Sequence, residues 1–342
     1  WTSYTVSYNA NGGSGAPANQ TKWKDQTLTL SSTKPTRTGY TFKGWALSKA
    51  DANAGTWYYQ PGGTCGKNEN LTLYATWEEN KLTVNYYSNY ADYCTYKGSA
   101  VTVSASTNVK VLSQDFLYDN SYTNGLANVQ NVDYLYLSRT GYAPTGYWGT
   151  STDGGTLVNH NTSFSTGQKL AQALGKSLAS GNASVNIYPQ WQVNAYTLDY
   201  NANGGSGDMS PQTVNWKETF QLFDNAFKRE GHKFIGWNAY RNSDKTWYVI
   251  GQGWLTDDEI LAGGYTKKVY DNQCELIFDT SWIKEDEEAR LYTMYAIWEL
   301  SGTVYIDNGT SFEPYIIYIY DGSNWNAYMP YVDNGTGWDA IS

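Results

Sequence analysis

The sequence predicts a mainly β, α+β protein assembled from tandem copies of one module. Three observations lead there: a long internal repeat, strand-like alternation interrupted by Asn-Gly turns, and a composition rich in Tyr, Trp and Gly. The run Tyr-Asn-Ala-Asn-Gly-Gly-Ser-Gly occupies residues 8–15 and again 200–207, and self-similarity of that length marks a repeat architecture. Just before it, Thr5-Val6-Ser7-Tyr8 and Thr197-Leu198-Asp199-Tyr200 alternate with the period of a half-buried strand. Among 342 residues, 32 Tyr and 15 Trp stand against only 9 Phe, with 33 Gly. Rings that carry a polar handle suit strand surfaces and interfaces, and glycine serves turns that need positive φ.

The copies follow a common order. After the first strand, Asn11-Gly12-Gly13 and Asn203-Gly204-Gly205 predict a tight turn, and a second strand is expected around Trp23 and Trp216. A middle block follows, Arg37-Thr38-Gly39-Tyr40-Thr41-Phe42-Lys43-Gly44-Trp45 in one copy and Arg229-Glu230-Gly231-His232-Lys233-Phe234-Ile235-Gly236-Trp237 in the other. The glycine before the tryptophan predicts a bulge or close packing on the ring. Both copies then carry Thr-Trp-Tyr, at 56–58 and 246–248, and close on Leu73-Tyr74-Ala75-Thr76-Trp77 or Met294-Tyr295-Ala296-Ile297-Trp298.

A weaker third copy lies between them. It has Leu82-Thr83-Val84-Asn85-Tyr86, the block Arg139-Thr140-Gly141-Tyr142-Ala143-Pro144-Thr145-Gly146-Tyr147-Trp148, and Ile187-Tyr188-Pro189-Gln190-Trp191. It lacks the Asn-Gly-Gly turn, and Gly155-Thr156-Leu157-Val158 stands where the others have Thr-Trp-Tyr. The expected modules are therefore 1–80, 81–194 and 195–300, followed by a tail at 301–342. Joints as short as 78–81 and 192–195 leave little freedom, so a semi-rigid rod is expected. Two helical insertions are also predicted. Leu170, Leu174 and Leu178 sit four apart between Ser165 and Ser180, after Ser165 or Thr166 as cap. Thr256-Asp257-Asp258-Glu259 is a capping box before Ile260-Leu261-Ala262, with Gly263-Gly264 as the stop.

These blocks resemble the Listeria–Bacteroides repeat, the B-repeat type of internalin-like surface proteins. The first copy matches throughout, including Pro35-Thr36-Arg37; the third matches well but has Ala226-Phe227-Lys228 before Arg229; the second departs at the turn and at the position of Trp45. The resemblance implies a compact β-grasp-like fold. It also implies a spacer or adhesive role on secreted, cell-surface or phage proteins of bacteria. It brings no catalytic motif.

The tail repeats with a period of 13. Tyr305, Tyr318 and Tyr331 are in register, as are Gly309, Gly322 and Gly335, and Phe312, Trp325 and Trp338. Strand, Asn-Gly turn and strand predict a β-meander of hairpins, too small to bury much alone. Its Tyr-Ile-Asp-Asn-Gly motif is similar to the ends of structural proteins from phages of Firmicutes.

The remaining chemistry is sparse. A net charge of −9 without a basic cluster argues against nucleic acid, and no apolar run reaches the roughly 20 residues of a membrane span. The chain begins at Trp1 without Met or a signal peptide, which suggests a longer precursor. Cys65, Cys94 and Cys274 form no CxxC pair, so no zinc or redox centre is expected, and free thiols are favoured over a Cys65–Cys94 bridge. His160 and His232 stand without partners of a catalytic motif, Asp257 to Glu259 start a helix, and Glu285 to Glu288 read as a solvated loop. Asp307-Asn308-Gly309 and Asp333-Asn334-Gly335 read as hairpin turns, because the spacing of a calcium loop is absent. No metal or cofactor is expected.

The candidate ligand-binding residues are Trp57, Tyr58, Trp247 and Tyr248, which could stack on sugar rings or else pack within each sheet. The candidate assembly residues are Tyr305, Phe312, Tyr318, Trp325, Tyr331 and Trp338. The expected function is a non-enzymatic structural or adhesive protein: a phage virion component, or else a bacterial cell-surface or secreted adhesin fragment, or a carbohydrate-binding accessory region. Expected partners are proteins or self-association through the tail and a host-surface glycan or protein, with no nucleic acid and no membrane insertion.

Overall fold

In a computed structural model of the chain, strands account for 49% and helices for 6%, so the protein is mainly β. The structure describes residues 1–283 and 290–300, and beyond 300 the backbone of six strands. Two compact units result, residues 1–192 and 193–342.

Each module is built on a mixed sheet whose first and last strands run parallel at its centre. In the first, Ser3–Asn9 lies beside Leu71–Glu79, with Gln20–Trp23 and Tyr40–Ala46 outside them, both antiparallel. In the second, Lys81–Tyr87 lies beside Ala183–Val193, flanked by Lys110–Leu117 and by the hairpin Tyr142–Ser151 with Gly154–Asn159. In the third, Ala195–Asn201 lies beside Leu291–Leu300, flanked by Gln212–Asn215 and His232–Arg241.

The sequence blocks acquire their meaning in the cores. Tyr8, Tyr86 and Tyr200 end the inward rows of the three first strands, and each ring meets a fully buried tryptophan edge-on: Trp45 at 4.9 Å, Trp148 at 4.8 Å and Trp237 at 5.0 Å. Each phenol hydroxyl also donates to a glutamine Oε1, of Gln20 at 2.5 Å, of Gln114, and of Gln212 at 2.7 Å. It then accepts a loop N–H, from Ser31 at 3.1 Å, Ala127 at 3.3 Å and Phe223 at 3.0 Å. A buried tyrosine is thus satisfied in both of its roles.

The expected glycine bulge is present. The ladder shifts register between Phe42 and Gly44 and between Phe234 and Gly236. Strand period two would send Phe42 and Trp45 to opposite faces; the extra residue puts both in one core, with rings 5.0 Å apart, and Phe234 and Trp237 at 4.8 Å. A Cβ on Gly44 would lie 2.5 Å from the Trp57 ring, and one on Gly236 would lie 2.6 Å from the Tyr270 carbonyl.

The turn is locked from the last strand. Trp77 Nε1 donates to Ala10 O, Trp191 Nε1 to Asn89 O and Trp298 Nε1 to Ala202 O, at 3.0, 2.9 and 2.8 Å. Asn11, Asn89 and Asn203 all take positive φ, and their Nδ2 atoms donate back to Ala75, Pro189 and Ala296 carbonyls. The second module therefore departs less than its sequence suggests. Asn89 replaces the missing Asn-Gly-Gly, and Trp148 fills the Trp45 site despite a one-residue insertion.

Helix α1 (Lys49–Asn53), capped by Ser48, was not expected from the sequence. Helix α2 spans Gly167–Ala173 with Thr166 as N-cap and Leu174 as C-cap, so it is shorter than the leucine spacing predicted. Gly175 at φ 69° ends it, and Leu178 is buried from an irregular segment instead. Helix α3 (Asp257–Gly263) carries the expected capping box of Thr256 and Glu259 and the Gly264 stop. Cys65 and Cys94 are buried free thiols, and Cys274 is a half-buried one.

In the tail, Val304–Asp307 pairs with Phe312–Tyr315, Ile317–Tyr320 with Trp325–Tyr328, and Tyr331–Asp333 with Trp338–Ala340. The expected meander is thus three separate two-stranded ladders among the described residues. A single residue separates the first ladder from the second, too few for a hairpin turn. The acidic stretch 285–288 and the Asp-Asn-Gly turns at 308–309 and 334–335 lie outside the described residues.

Replacing Tyr200 by Phe strands the Gln212 oxygen and the Phe223 N–H, and is expected to cost about 1–3 kcal/mol in urea denaturation; Tyr8→Phe should cost less, because Ser31 N also donates to Gln20 Oε1 at 2.9 Å.

Candidate functional site

The joint between the first two modules reduces to Asn80, between strands Leu71–Glu79 and Lys81–Tyr87, and this asparagine is fully buried. Its N–H donates to Gly39 O at 2.9 Å, and its carbonyl accepts from Tyr118 N at 2.9 Å. Its Nδ2 donates to Leu178 O at 2.7 Å, and its Oδ1 accepts from Thr41 Oγ1 at 2.6 Å. One side chain and its backbone thus tie the middle block of the first module to two segments of the second.

The Arg-Thr-Gly-Tyr turn is the socket of this junction. Gly39 N donates to Ala179 O at 2.9 Å, and the Tyr118 ring fills the space beside Gly39 so closely that a Cβ there would lie 2.3 Å from it. Gly39 also has φ 83°, so both sterics and backbone call for glycine. Tyr40 OH donates to Asp119 Oδ2 at 2.6 Å. Burial, then that hydrogen bond, push the Tyr40 phenol up to about 12.

Beside the socket runs a groove of about 860 Å³, lined by the Gly12-Gly13-Ser14 turn, Lys34 to Thr38, Tyr40 to Phe42, Trp77, and Tyr118, Asp119, Ala179 and Ser180 of the second module. The Arg37 guanidinium lies 3.7 Å from the centre of the Tyr40 ring. Sequence reading named Arg37, Gly39 and Tyr40 only as markers of the repeat. Their spacing carried no sign that the next module closes over them, and nothing singled out Asn80 or Tyr118.

The aromatic candidates are placed differently from one another. Trp57 is 41% exposed and Tyr58 55% exposed. Trp57 covers the Gly44 bulge, with Lys43 Nζ 5.9 Å from its ring. Trp247 is half-buried between Tyr240 and Tyr295, with Lys267 Nζ 3.6 Å from its ring. Tyr248 faces Trp254 and Tyr270. The two Thr-Trp-Tyr segments are not structural equivalents. Tyr59 bridges Trp45 in the first module, and Tyr270 pairs with Trp237 in the third. An inserted hairpin and α3 separate Thr246-Trp247-Tyr248 from that position. In the tail, ladder register sets Tyr305 opposite Pro314, Tyr318 opposite Ala327 and Tyr331 opposite Ala340. It sets Phe312, Trp325 and Trp338 opposite Asp307, Tyr320 and Asp333.

Among the described residues, no cluster of three or more His, Cys, Asp or Glu could hold a metal ion. None of the helices there is long and apolar enough to cross a membrane.

The modules and their shared locks define a tandem-repeat protein. Residues 4–76 and 196–262 match the Listeria-Bacteroides repeat domain. A protein of Evansella cellulosilytica named as a membrane protein is 26% identical over 299 residues, covering 76% of this chain and 43% of its own length. A second protein of that organism, named as a Gly-rich membrane protein, is 28% identical over 206 residues, covering 59% of this chain and 19% of its own length. The chain thus spans less than half the length of these curated relatives.

Gly39→Val and Asn80→Ala are each expected to destabilise residues 1–192, Asn80→Ala by about 1–3 kcal/mol through stranded polar partners. Gly66→Ala, where a Cβ meets nothing within 4 Å, should be near neutral in the same denaturation series. The folded state holds the Tyr40 proton up to about 12, whereas the ordinary phenol value is 10.0. The contribution of Tyr40 is therefore intact below pH 10 and lost as pH rises towards 12. Tyr40→Phe should flatten that part of the stability profile in alkaline melts.

Proposed function

We propose that this chain is a non-enzymatic segment of a bacterial surface protein, in which the repeats act as spacers that carry or present binding sites. The observation that carries this reading is the threefold use of one set of structural locks. The tyrosine, glutamine, asparagine and two tryptophans of each module are spent on holding the sheet and its turn. The match to the repeat domain and the two relatives, both named as membrane proteins, support a place at the cell surface. The tail would be the face for protein partners or self-association.

The test is location. Antibodies against the chain should label intact, unpermeabilised cells of the native host, and the label should vanish after brief surface proteolysis. Label only in disrupted cells would defeat the proposal. A second reading, a virion component, is favoured by the 13-residue tail repeat alone. It requires the chain to co-purify with particles and to run as an oligomer in native light scattering.

A further inference from the structure

We propose that the groove beside Arg37 binds an anionic saccharide, with the anion held between Arg37 and Lys34. The inference starts from an unusual cation. Arg37 Cζ lies over the Tyr40 ring, 3.7 Å from its centre, and Arg139 Cζ over the Tyr142 ring at 4.0 Å. Arg229 packs beside the Gly204 turn just as Arg37 packs beside Gly12. Among the described residues, none of the three enters an ion pair. This is a chain in which 32 acidic residues outnumber 23 basic ones. Arg241 shows the contrasting case, since its Nε and Nη2 grip both oxygens of Asp244.

A guanidinium stacked on a ring is held in plane with its N–H edges free, and such a fork matches a carboxylate or phosphate. In the first module this fork borders a groove about 860 Å³ in volume, and the exposed Lys34 lines the same groove as a second cation. The hydroxyls of Ser14, Thr36 and Ser180 line the same groove, together with the Tyr118 and Trp77 rings. Hydroxyls and ring faces suit sugar rings, which present O–H groups around an apolar face. Asp119 lines the second-module end, but its Oδ2 already accepts from Tyr40 OH at 2.6 Å. The anion could be a uronate carboxylate or a phosphodiester; the chemistry of capture is the same.

The proposal concerns binding by the purified chain, so it stands or falls separately from the cellular location. Isothermal titration of the full chain with a galacturonate oligosaccharide and with a phosphodiester-linked hexose oligosaccharide decides it. A neutral maltooligosaccharide and a glutamate peptide serve as controls. Expected is saturable binding of at least one of the two anionic ligands, weakened by salt, and the preferred one identifies the anion. Arg37→Gln should lower affinity at least about tenfold, Lys34→Gln should lower it severalfold, and Trp57→Ala should leave it unchanged. Should Arg37→Gln fail to fold by circular dichroism, Lys34→Gln, at an exposed position, carries the test. Absence of binding to both anionic ligands, equal binding of either control, or undiminished affinity in the folded variants would overturn the proposal.

Discussion

The structure depends on one tyrosine per module. Tyr8, Tyr86 and Tyr200 each place a ring against a buried tryptophan and a hydroxyl between a glutamine and a loop N–H. The ring fixes the separation of the first strand from the bulged strand. The hydroxyl fixes the first strand to its antiparallel neighbour and to the loop that crosses above. Burial holds these phenols in the neutral form, with Tyr200 pushed up to about 12, so each remains a donor across the physiological range. A phenylalanine would supply the same area but neither hydrogen bond.

Around that centre, two further locks make the sheet a closed object. The closing tryptophans reach back to the turn carbonyls, and the turn asparagines reach back to the last strand. Each lock joins the two ends of a module in sequence. The second module keeps all of them while its sequence has drifted, because the contacts constrain geometry and not the particular turn residues. Asn89 at φ 44° with Tyr90 at φ 61° performs the turn that Asn-Gly performs elsewhere.

The junction of the first two modules shows how a repeat gains a private surface. A turn present in every copy, Arg-x-Gly-Tyr or its His variant, is covered in the first by Tyr118, Asp119 and Ala179, which come from segments peculiar to the second module. The groove and its stacked arginine arise from that meeting. Of the aromatic candidates chosen for exposure, Trp57 covers a bulge and Trp247 lies under a lysine, so the same tripeptide serves two local purposes.

The sequence by itself determined the class of fold, the bulge at Gly44 and Gly236 and the capping of α3. Each of these rests on short-range rules: strand period, turn chemistry and helix caps act within a few residues. It overextended α2, because leucines four apart also arise when Leu178 is buried from a loop. It also missed that Trp148 and Asn89 still hold their repeat positions, because an insertion hides equivalence that only three-dimensional packing restores. Only the tertiary structure decided that Tyr59 and Tyr270, and not the two Thr-Trp-Tyr segments, correspond. It alone decided that Asn80 is a buried hub and that Arg37 borders a groove. These features depend on residues tens of positions apart, such as Gly39 with Tyr118 and Asn80 with Leu178, and no local pattern records them.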